Sequence, residues 1–251
     1  MNLNAIILRD MQAHARDCYP QESCGLIVAG EYRPCVNRSD EPEKTFAISS
    51  ADILAAGDKL EAVVHSHPDG PVYPSEEDMR QQIAMNVPWM IIPLFEDKVG
   101  PPIMWGDGLP IAPLIGRTFI HGVADCYSLI RDIYRMGKEA CALEGVDWPF
   151  DSIELLEFPR RDGWWDGKTG EPQDLYRAHF AEAGFVEISR EEARAGDVWL
   201  KAVNSPVLTH GGVLLSGGLI LHHLPKRLSR REPAGLWGAA VDVWLRHKHA
   251  S

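Results

Sequence analysis

The chain has 251 residues, of which 45% are apolar, and its formal net charge is −11 at neutral pH. This composition is typical of a globular protein, and the length allows one large domain or two of ordinary size. The acidic balance disfavours nonspecific binding to nucleic acid or to an anionic membrane surface. No apolar run approaches the ~18 residues that a membrane span needs, and the N-terminus lacks the pattern of a signal peptide. Five cysteines without a C-x-x-C pair argue against a disulfide framework. We therefore expect a chain that is made and folded in a cytoplasm.

The first sixty residues predict alternating helices and strands. The predicted elements are a helix over Ala5–Cys18, a strand over Glu22–Ala29, a polar hairpin region over Glu31–Asp40, a strand over Thr45–Ile48 and a helix over Ser50–Leu60.

A short stretch that follows predicts a metal site. Ala62–Val64 is an apolar run typical of a buried strand, and His65 and His67 stand two apart at its end. Residues two apart in extended backbone face the same side, so the two imidazoles converge. A loop rich in proline and glycine leads to Ser75, a predicted helix N-cap, and Asp78 in the first turn can return a carboxylate to the histidines. Two imidazoles and one carboxylate form the ligand set of a catalytic zinc.

The same stretch resembles the JAMM (MPN-plus) metallopeptidases. Residues 65–78 match the motif H-x-H-P-x6-S-x-x-D at every defined position. Upstream, Glu22 lies in E-S-C-G-L, a setting similar to that of the family's glutamate. The resemblance implies that His65, His67 and Asp78 hold Zn²⁺, that Glu22 is the general base and that Ser75 stabilises the tetrahedral oxyanion.

The remaining elements of this half complete a predicted α/β sandwich over residues 1–105. A helix over Ser75–Asn86 ends before Pro88, and strands are predicted over Trp89–Phe95 and Ile103–Trp105. Residues 106–117 are rich in glycine and proline, and we interpret them as a linker.

A cysteine and two histidines predict a second site after the linker. Asp125 is a natural N-cap, which places Cys126 in the first turn of a helix, where the dipole and free amides favour a thiolate. A hairpin is predicted downstream, with His210 at the start of its first strand and His222 at the end of its second. Antiparallel pairing brings these ends together, in the manner of a Cys-His-polar site.

These segments resemble the NlpC-type cysteine peptidases. The resemblance rests on the segments D-C-Y-S-L-I, G-D-V-W-L and H-G-G-V-L-L, and on the spacing of twelve positions between the two histidines. The resemblance implies a papain-like α+β domain over residues 118–251, with Cys126 as nucleophile, His210 as base and His222 as the orienting group. Cell-wall members usually have D-C-S-G, so Tyr127 stands where we expect it to narrow the site.

The segment 144–185 separates the halves of this second site and contains Trp148, Trp164 and Trp165. It is compatible with a substrate lid, with a docking face, or with tryptophans that serve a core or an interface.

A JAMM-like domain followed by an NlpC-type domain resembles the tail assembly proteins of lambda-type bacteriophages. The resemblance implies an α+β protein of the virion tail tip, assembled in the host cytoplasm with other tail tip proteins. Its implied substrate is the peptide of peptidoglycan. Two alternatives stay open: a maturation protease of tail proteins, and a structural component with vestigial sites. Isopeptidase action on ubiquitin-like conjugates follows from the first motif by analogy alone, and the second domain argues against it.

Overall fold

The structure, a computed structural model, describes residues 3–96, 98–168 and 170–249. The outer ends of the two predicted domains, residues 1–2 and 250–251, lie outside that range. Tertiary contacts divide the chain into two compact units, Met1–Pro110 and Ile111–Ser251. Each unit combines helices with its own sheet, which confirms the α+β class. None of the helices in the described ranges combines the length and apolar character needed to cross a bilayer.

The N-terminal unit has one mixed sheet with helices around it. Its elements are α1 (Ala5–Cys18), β1 (Cys24–Val28), β2 (Glu31–Cys35), α2 (Ser50–Ala56), β3 (Leu60–Pro68), α3 (Glu76–Met85), β4 (Trp89–Phe95), β5 (Lys98–Val99) and β6 (Ile103–Trp105). The strand order is β2-β1-β3-β4-β5, and β6 pairs with β4. The β3–β4 pair is parallel and the other pairs are antiparallel.

Helix α1 covers one face of this sheet because its sequence is amphipathic. Asn4 caps it by accepting hydrogen bonds from the backbone N–H groups of Ile6 and Ile7, both at 2.9 Å. Ile7, Met11 and Ala15 recur at helical spacing and are buried against the sheet. Strand β1 is buried at every position, as expected for a continuous apolar run at the centre of a sheet.

One strand and one helix end predicted for this unit are wrong. Residues 45–48 form no strand, because the Asn37 side chain ties them down: its Nδ2 donates to Thr45 O at 3.0 Å and its Oδ1 accepts from Ala47 N at 3.1 Å. Helix α2 ends at Ala56 rather than Leu60, because Gly57 adopts a positive φ of 51°. A 3₁₀ turn over Gly57–Lys59 then leads into β3.

The C-terminal unit has an antiparallel six-stranded sheet of order β11-β10-β9-β8-β12-β7. Its elements are α4 (Cys126–Leu143), α5 (Leu175–His179), β7 (Phe185–Ile188), β8 (Val198–Lys201), β9 (His210–Leu215), β10 (Leu219–His222), β11 (Arg230–Pro233), α6 (Gly235–Ala239) and β12 (Val243–His247). Short 3₁₀ turns lie over Arg190–Glu192 and Ser216–Gly218.

Helix α4 presents its apolar face to the core of this unit, in which Leu129, Ile133 and Tyr134 are almost fully buried. Gly137 interrupts the helix with φ 66° and ψ 177°, after which it continues to Leu143. Only glycine fits here for two reasons. Its positive φ is unfavourable for residues with a side chain, and a Cβ would lie 2.5 Å from the backbone nitrogen of Ser152. Gly137 therefore kinks α4 without ending it.

Candidate active sites

The three predicted zinc ligands meet in the N-terminal unit. His65 and His67 lie on the same side of β3 near its C-terminal end, and Asp78 lies in the first turn of α3. The two Nε2 atoms are 3.0 Å apart, and they lie 3.4 Å and 3.6 Å from the Asp78 carboxylate oxygens. All three donor atoms fall within 4.8 Å of one another and all three residues are buried. This donor set fits a three-ligand zinc site.

The Ser75 cap holds the Asp78 carboxylate in place. Ser75 Oγ accepts from Asp78 N at 3.1 Å, and the carboxylate Oδ2 accepts from both Ser75 N and Ser75 Oγ, at 2.8 Å and 2.7 Å. The hydroxyl is thus engaged with Asp78. To stabilise an oxyanion, as the motif implies, Ser75 has to turn away from this carboxylate.

The backbone fixes one of the histidine tautomers. His67 Nδ1 lies 2.7 Å from the carbonyl of Pro71, to which a ring N–H donates. A neutral imidazole has one N–H, so His67 Nε2 is left as the lone-pair nitrogen that faces the donor set. His65 is held differently, by the Phe46 ring, which stacks on it with centroids 4.5 Å apart.

Glu22 reaches the same site through the strand register. Cys24 pairs with His65 in the β1–β3 ladder, and Ser23 and Ser66 exchange hydrogen bonds of 2.8 Å and 3.0 Å. Continuing this register places Glu22 opposite His67. A cavity of about 320 Å³ is lined by Glu22, His67, Ser75 and Asp78 and by the 43–46 segment. The site therefore has room for a ligand beside the carboxylate predicted to act as base.

Burial sets the electrostatics of this first site. It raises the pKa of Glu22 to about 7, with His67 opposing the rise and Asp78 adding to it. Burial alone would raise the pKa of Asp78 too, but His65, His67 and Ser75 hold it well below its usual range. Burial lowers the pKa of His65. Burial alone would lower the pKa of His67, but the nearby Asp78 carboxylate and the Pro71 carbonyl raise it overall.

The predicted nucleophile lines a cavity in the C-terminal unit. Cys126 opens α4, whose N-cap Asp125 accepts from the backbone N–H of Ser128 at 2.9 Å. The thiol Sγ lies 3.2 Å from the Tyr176 hydroxyl and 4.0 Å from the carbonyl oxygen of Thr209. Cys126 and His210 both line this cavity, which has a volume of about 130 Å³.

The two predicted histidines form a chain that extends to a third residue. His210 Nε2 lies 3.0 Å from His222 Nδ1, and His222 Nε2 lies 2.9 Å from Glu232 Oε1. The structure places His222 against His210, whereas the ring of the adjacent His223 packs on Phe119, with centroids 5.1 Å apart. Sequence reasoning missed Glu232, because its position depends on how β11 pairs with β10 across an intervening loop.

The electrostatics at Cys126 differ from the expectation drawn from its place on the helix. Burial, and then the neighbouring Asp125 carboxylate, raise the pKa of the thiol to about 11, against smaller lowering effects from Tyr176 and the Gly211 backbone. Burial lowers the pKa of His210 to about 3. The two groups are therefore a neutral thiol and a neutral imidazole at pH 7, because desolvation outweighs the attraction of the helix dipole for a thiolate.

The tryptophan-rich segment contributes to this second site in more than one way. Trp148 packs edge-on to Tyr134 in the core, while Trp164 and Trp165 line the cavity beside Cys126. The segment also supplies Tyr176 and Arg160. The composition of the segment signals aromatic packing, but nothing in it marks these two polar groups.

Residues 4–97 match the Prok-JAB family, described as prokaryotic homologs of the JAB domain. The chain is 32% identical over 245 residues to tail tip assembly protein K of Escherichia phage N15. The alignment covers 95% of this chain and 93% of the relative. It is 32% identical over 195 residues to tail tip assembly protein K of Escherichia phage lambda, covering 76% and 80%.

Two solution structures are also similar to part of the chain. A protein from Desulfitobacterium hafniense matches 40% of this chain and 78% of its own, with 25% identity and a TM-score of 0.33. A protein from Salinibacter ruber matches 45% and 83%, with 24% identity and a TM-score of 0.32. The classification rests on the sequence relatives: the chain belongs to the family of phage tail tip assembly protein K and carries a JAB-like domain in its N-terminal part.

Proposed function

We propose that this chain is a tail tip peptidase whose Cys126 site hydrolyses peptide bonds of peptidoglycan during cell-wall penetration. The observation that carries the proposal is the chain of contacts from His210 through His222 to Glu232, next to a cavity that Cys126 also lines. A thiol, a base and a group that orients the base are the parts that a cysteine peptidase needs. The resemblance to NlpC-type peptidases and the tail tip family supply the substrate and the location.

The His210 ring nitrogen that does not face His222 is the one available to act as the base. His210 Nε2 faces His222, so Nδ1 is the ring nitrogen left to take the thiol proton. As Sγ bonds to the scissile carbonyl carbon, the carbonyl π electrons move onto its oxygen and the proton passes to His210. The C–N bond then breaks, and His210 returns the proton to the leaving amine. A water molecule, deprotonated by His210, hydrolyses the thioester and restores the thiol.

The N-terminal unit would add a second hydrolytic site. His65, His67 and Asp78 would hold Zn²⁺, a Lewis acid that activates water and polarises carbonyl groups. Ser75 orients Asp78 through its two hydrogen bonds. Glu22, with a pKa of about 7, can accept a proton and give it up again near neutral pH.

Digestion of purified peptidoglycan tests the proposal directly. Wild type, Cys126→Ala and Glu22→Ala are compared, and the released fragments are identified by mass spectrometry. New amino termini that disappear in Cys126→Ala support the thiol site, and those that disappear in Glu22→Ala support the metal site. Peptidoglycan left intact by the wild-type protein, as isolated and with added zinc, would reject the wall as substrate.

Particles test the place of action. Tails assembled with Cys126→Ala should deliver DNA poorly into walled cells and normally into wall-less spheroplasts. Equal delivery into both by normal particles would favour a structural tail component, assembled in the host cytoplasm with the other tail tip proteins.

A second candidate function is maturation of tail proteins, and the lining of the cavity favours it. Most of the residues that line it are apolar or aromatic: Phe119, Tyr127, Phe158, Trp164, Trp165, Leu175, Val203, Leu224 and Pro225. Arg160 also lines the cavity, and its guanidinium is paired with Asp125 and Glu157. A cavity of about 150 Å³ holds benzene, so this one suits a large apolar side chain of a polypeptide. Mass spectrometry of tail proteins from wild-type and Cys126→Ala particles tests this candidate, which requires a protein to be shorter in the wild type.

A further inference from the structure

We propose that Glu232 is a positioning residue that sets the tautomers of both His222 and His210, and so leaves His210 Nδ1 unprotonated for Cys126. Its meaning for catalysis rests on the proposed peptidase function, whereas the tautomers themselves do not. Glu232 belongs to β11, and its carboxylate bonds His222, Trp237 and Arg230. It acts on His210 indirectly, through its hydrogen bond with His222.

Glu232 accepts a hydrogen bond from His222 and thereby fixes the tautomer of that ring. Glu232 Oε2 lies 2.9 Å from the Arg230 guanidinium, and a carboxylate paired in this way only accepts hydrogen bonds. Its Oε1, 2.9 Å from His222 Nε2, therefore accepts that ring's N–H. A neutral imidazole has a single N–H, so His222 Nδ1 carries a lone pair.

The tautomer of His222 in turn fixes the tautomer of His210. His210 Nε2 lies 3.0 Å from the lone-pair nitrogen of His222, so it must be the donor of that hydrogen bond. His210 is neutral as well, because burial lowers its pKa to about 3. Its one proton is then on Nε2, and Nδ1 is the acceptor. The carboxylate thus determines, two rings away, which nitrogen of His210 can act as base.

The surroundings of Glu232 hold it in this orientation. Trp237 Nε1 donates to the same Oε1 at 3.2 Å, and the Trp237 ring lies 5.2 Å and 5.3 Å from the rings of His210 and His222. The charged groups that act on His222 are Glu232, which favours its protonated form, and Arg230 and Arg227, which oppose it; burial lowers its pKa overall. A neutral His222 is therefore the state that the carboxylate has to orient.

The alternative tautomer shows why the orientation matters. If His222 carried its proton on Nδ1, His210 Nε2 would have to accept, and the single proton of His210 would move to Nδ1. The ring would then present an N–H to Cys126 and have no lone pair for the thiol proton. A wrong histidine tautomer in a related triad costs about 10⁴-fold in kcat.

The test is nitrogen NMR on the full chain labelled with ¹⁵N-histidine, which reads the tautomer of each ring whether or not the protein hydrolyses anything. In wild type we expect both His210 and His222 to carry the proton on Nε2. Glu232→Ala should leave both rings as mixtures. Glu232→Gln should keep the wild-type tautomers, because the amide oxygen still accepts and Trp237 still donates to it. Glu187→Ala, an exposed glutamate on β7 of the same sheet, is the matched control and should change nothing.

Hydrolysis by the same variants adds the catalytic readout. We expect kcat to fall about 2- to 10-fold in Glu232→Ala, in proportion to the fraction of His210 that loses the Nε2 proton, and less in Glu232→Gln, which keeps the tautomer and loses the charge. A proton on His222 Nδ1 in wild type, or unchanged tautomers in a folded Glu232→Ala variant, would overturn the proposal. If the tautomers follow Glu232 as expected while wild type cleaves no peptide, the peptidase function fails and the positioning role stands.

Discussion

Arg160 and Asp125 form a buried ion pair at the N-terminus of the helix that begins with the predicted nucleophile. Arg160 Nε lies 2.9 Å from Asp125 Oδ2, and the two side chains are only 3% and 5% exposed. Asp125 caps the helix that Cys126 begins, and Arg160 comes from the tryptophan-rich segment. The pair therefore ties that segment to the N-terminus of the helix and fixes where the thiol lies.

Breaking this pair should destabilise the C-terminal unit strongly. Arg160→Met leaves the Asp125 carboxylate buried without its cation, which costs about 3–5 kcal/mol in comparable buried pairs. Urea unfolding measures the change in free energy of unfolding. Arg190→Ala, at an exposed arginine of the same unit, should stay within about 0.5 kcal/mol. A loss below about 1 kcal/mol in Arg160→Met would mean that the pair is not anchoring the segment.

The stability of the metal-free N-terminal unit should fall as pH rises through the range set by Glu22. The pKa of this residue is about 7 in the folded chain, against an ordinary value of 4.5. A raised folded pKa contributes stability that is complete below pH 4.5 and is lost as pH rises to about 7. Relative to Glu22→Gln, wild type in chelator should lose about 3 kcal/mol between pH 4.5 and pH 8. Parallel pH curves for the two proteins would contradict the burial of this carboxylate.

One zinc ion per chain should bind at His65, His67 and Asp78. Metal analysis after dialysis should find about one zinc in wild type and almost none in His67→Ala, because two remaining ligands hold a catalytic zinc poorly. His14→Ala is the control, since His14 bonds Tyr32 elsewhere in the same unit. Zinc should also raise the unfolding temperature of wild type, as any ligand of the native state does. Equal zinc content in wild type and His67→Ala would place the metal elsewhere.

Cys126 should react slowly with iodoacetamide at neutral pH. The helix N-terminus by itself predicts the fastest thiol of the chain, but burial raises the pKa of Cys126 to about 11 and leaves little thiolate at pH 7. Its alkylation rate, followed by peptide mass spectrometry, should therefore climb steadily up to about pH 11. A rate that is already constant below pH 7 would reveal a preformed thiolate–imidazolium pair instead of general-base catalysis on a neutral thiol.

The Tyr176 hydroxyl should contribute to turnover. It lies 3.2 Å from the sulfur, and the carbonyl oxygen of a bound substrate will be two bonds from that atom, within reach of the same hydroxyl. Loss of one oxyanion donor costs about 10²-fold or more in kcat, so Tyr176→Phe should lower kcat by that order. Tyr134→Phe removes a buried hydroxyl that donates to Gly196 O instead and should leave kcat unchanged. Similar kcat values for the two variants would exclude the role of Tyr176.

Local sequence was sufficient to predict the residues of both candidate sites that depend on spacing. His65 and His67 face one way because residues two apart in a strand do so, and Asp78 follows from the cap at Ser75. His210 and His222 meet because one short turn joins their strands. Each of these relations is set within one or two adjacent elements, where periodicity and turn chemistry act.

Relations between distant segments were decided by the tertiary structure alone. The strand predicted over residues 45–48 is absent because the Asn37 side chain takes their hydrogen bonds. Glu232 joins the histidines only through the pairing of β11, and Arg160 meets Asp125 only after the segment between them folds back. The low-dielectric surroundings that hold Cys126 as a thiol depend on that same packing, because desolvation is a property of everything around a group and no short stretch of sequence encodes it.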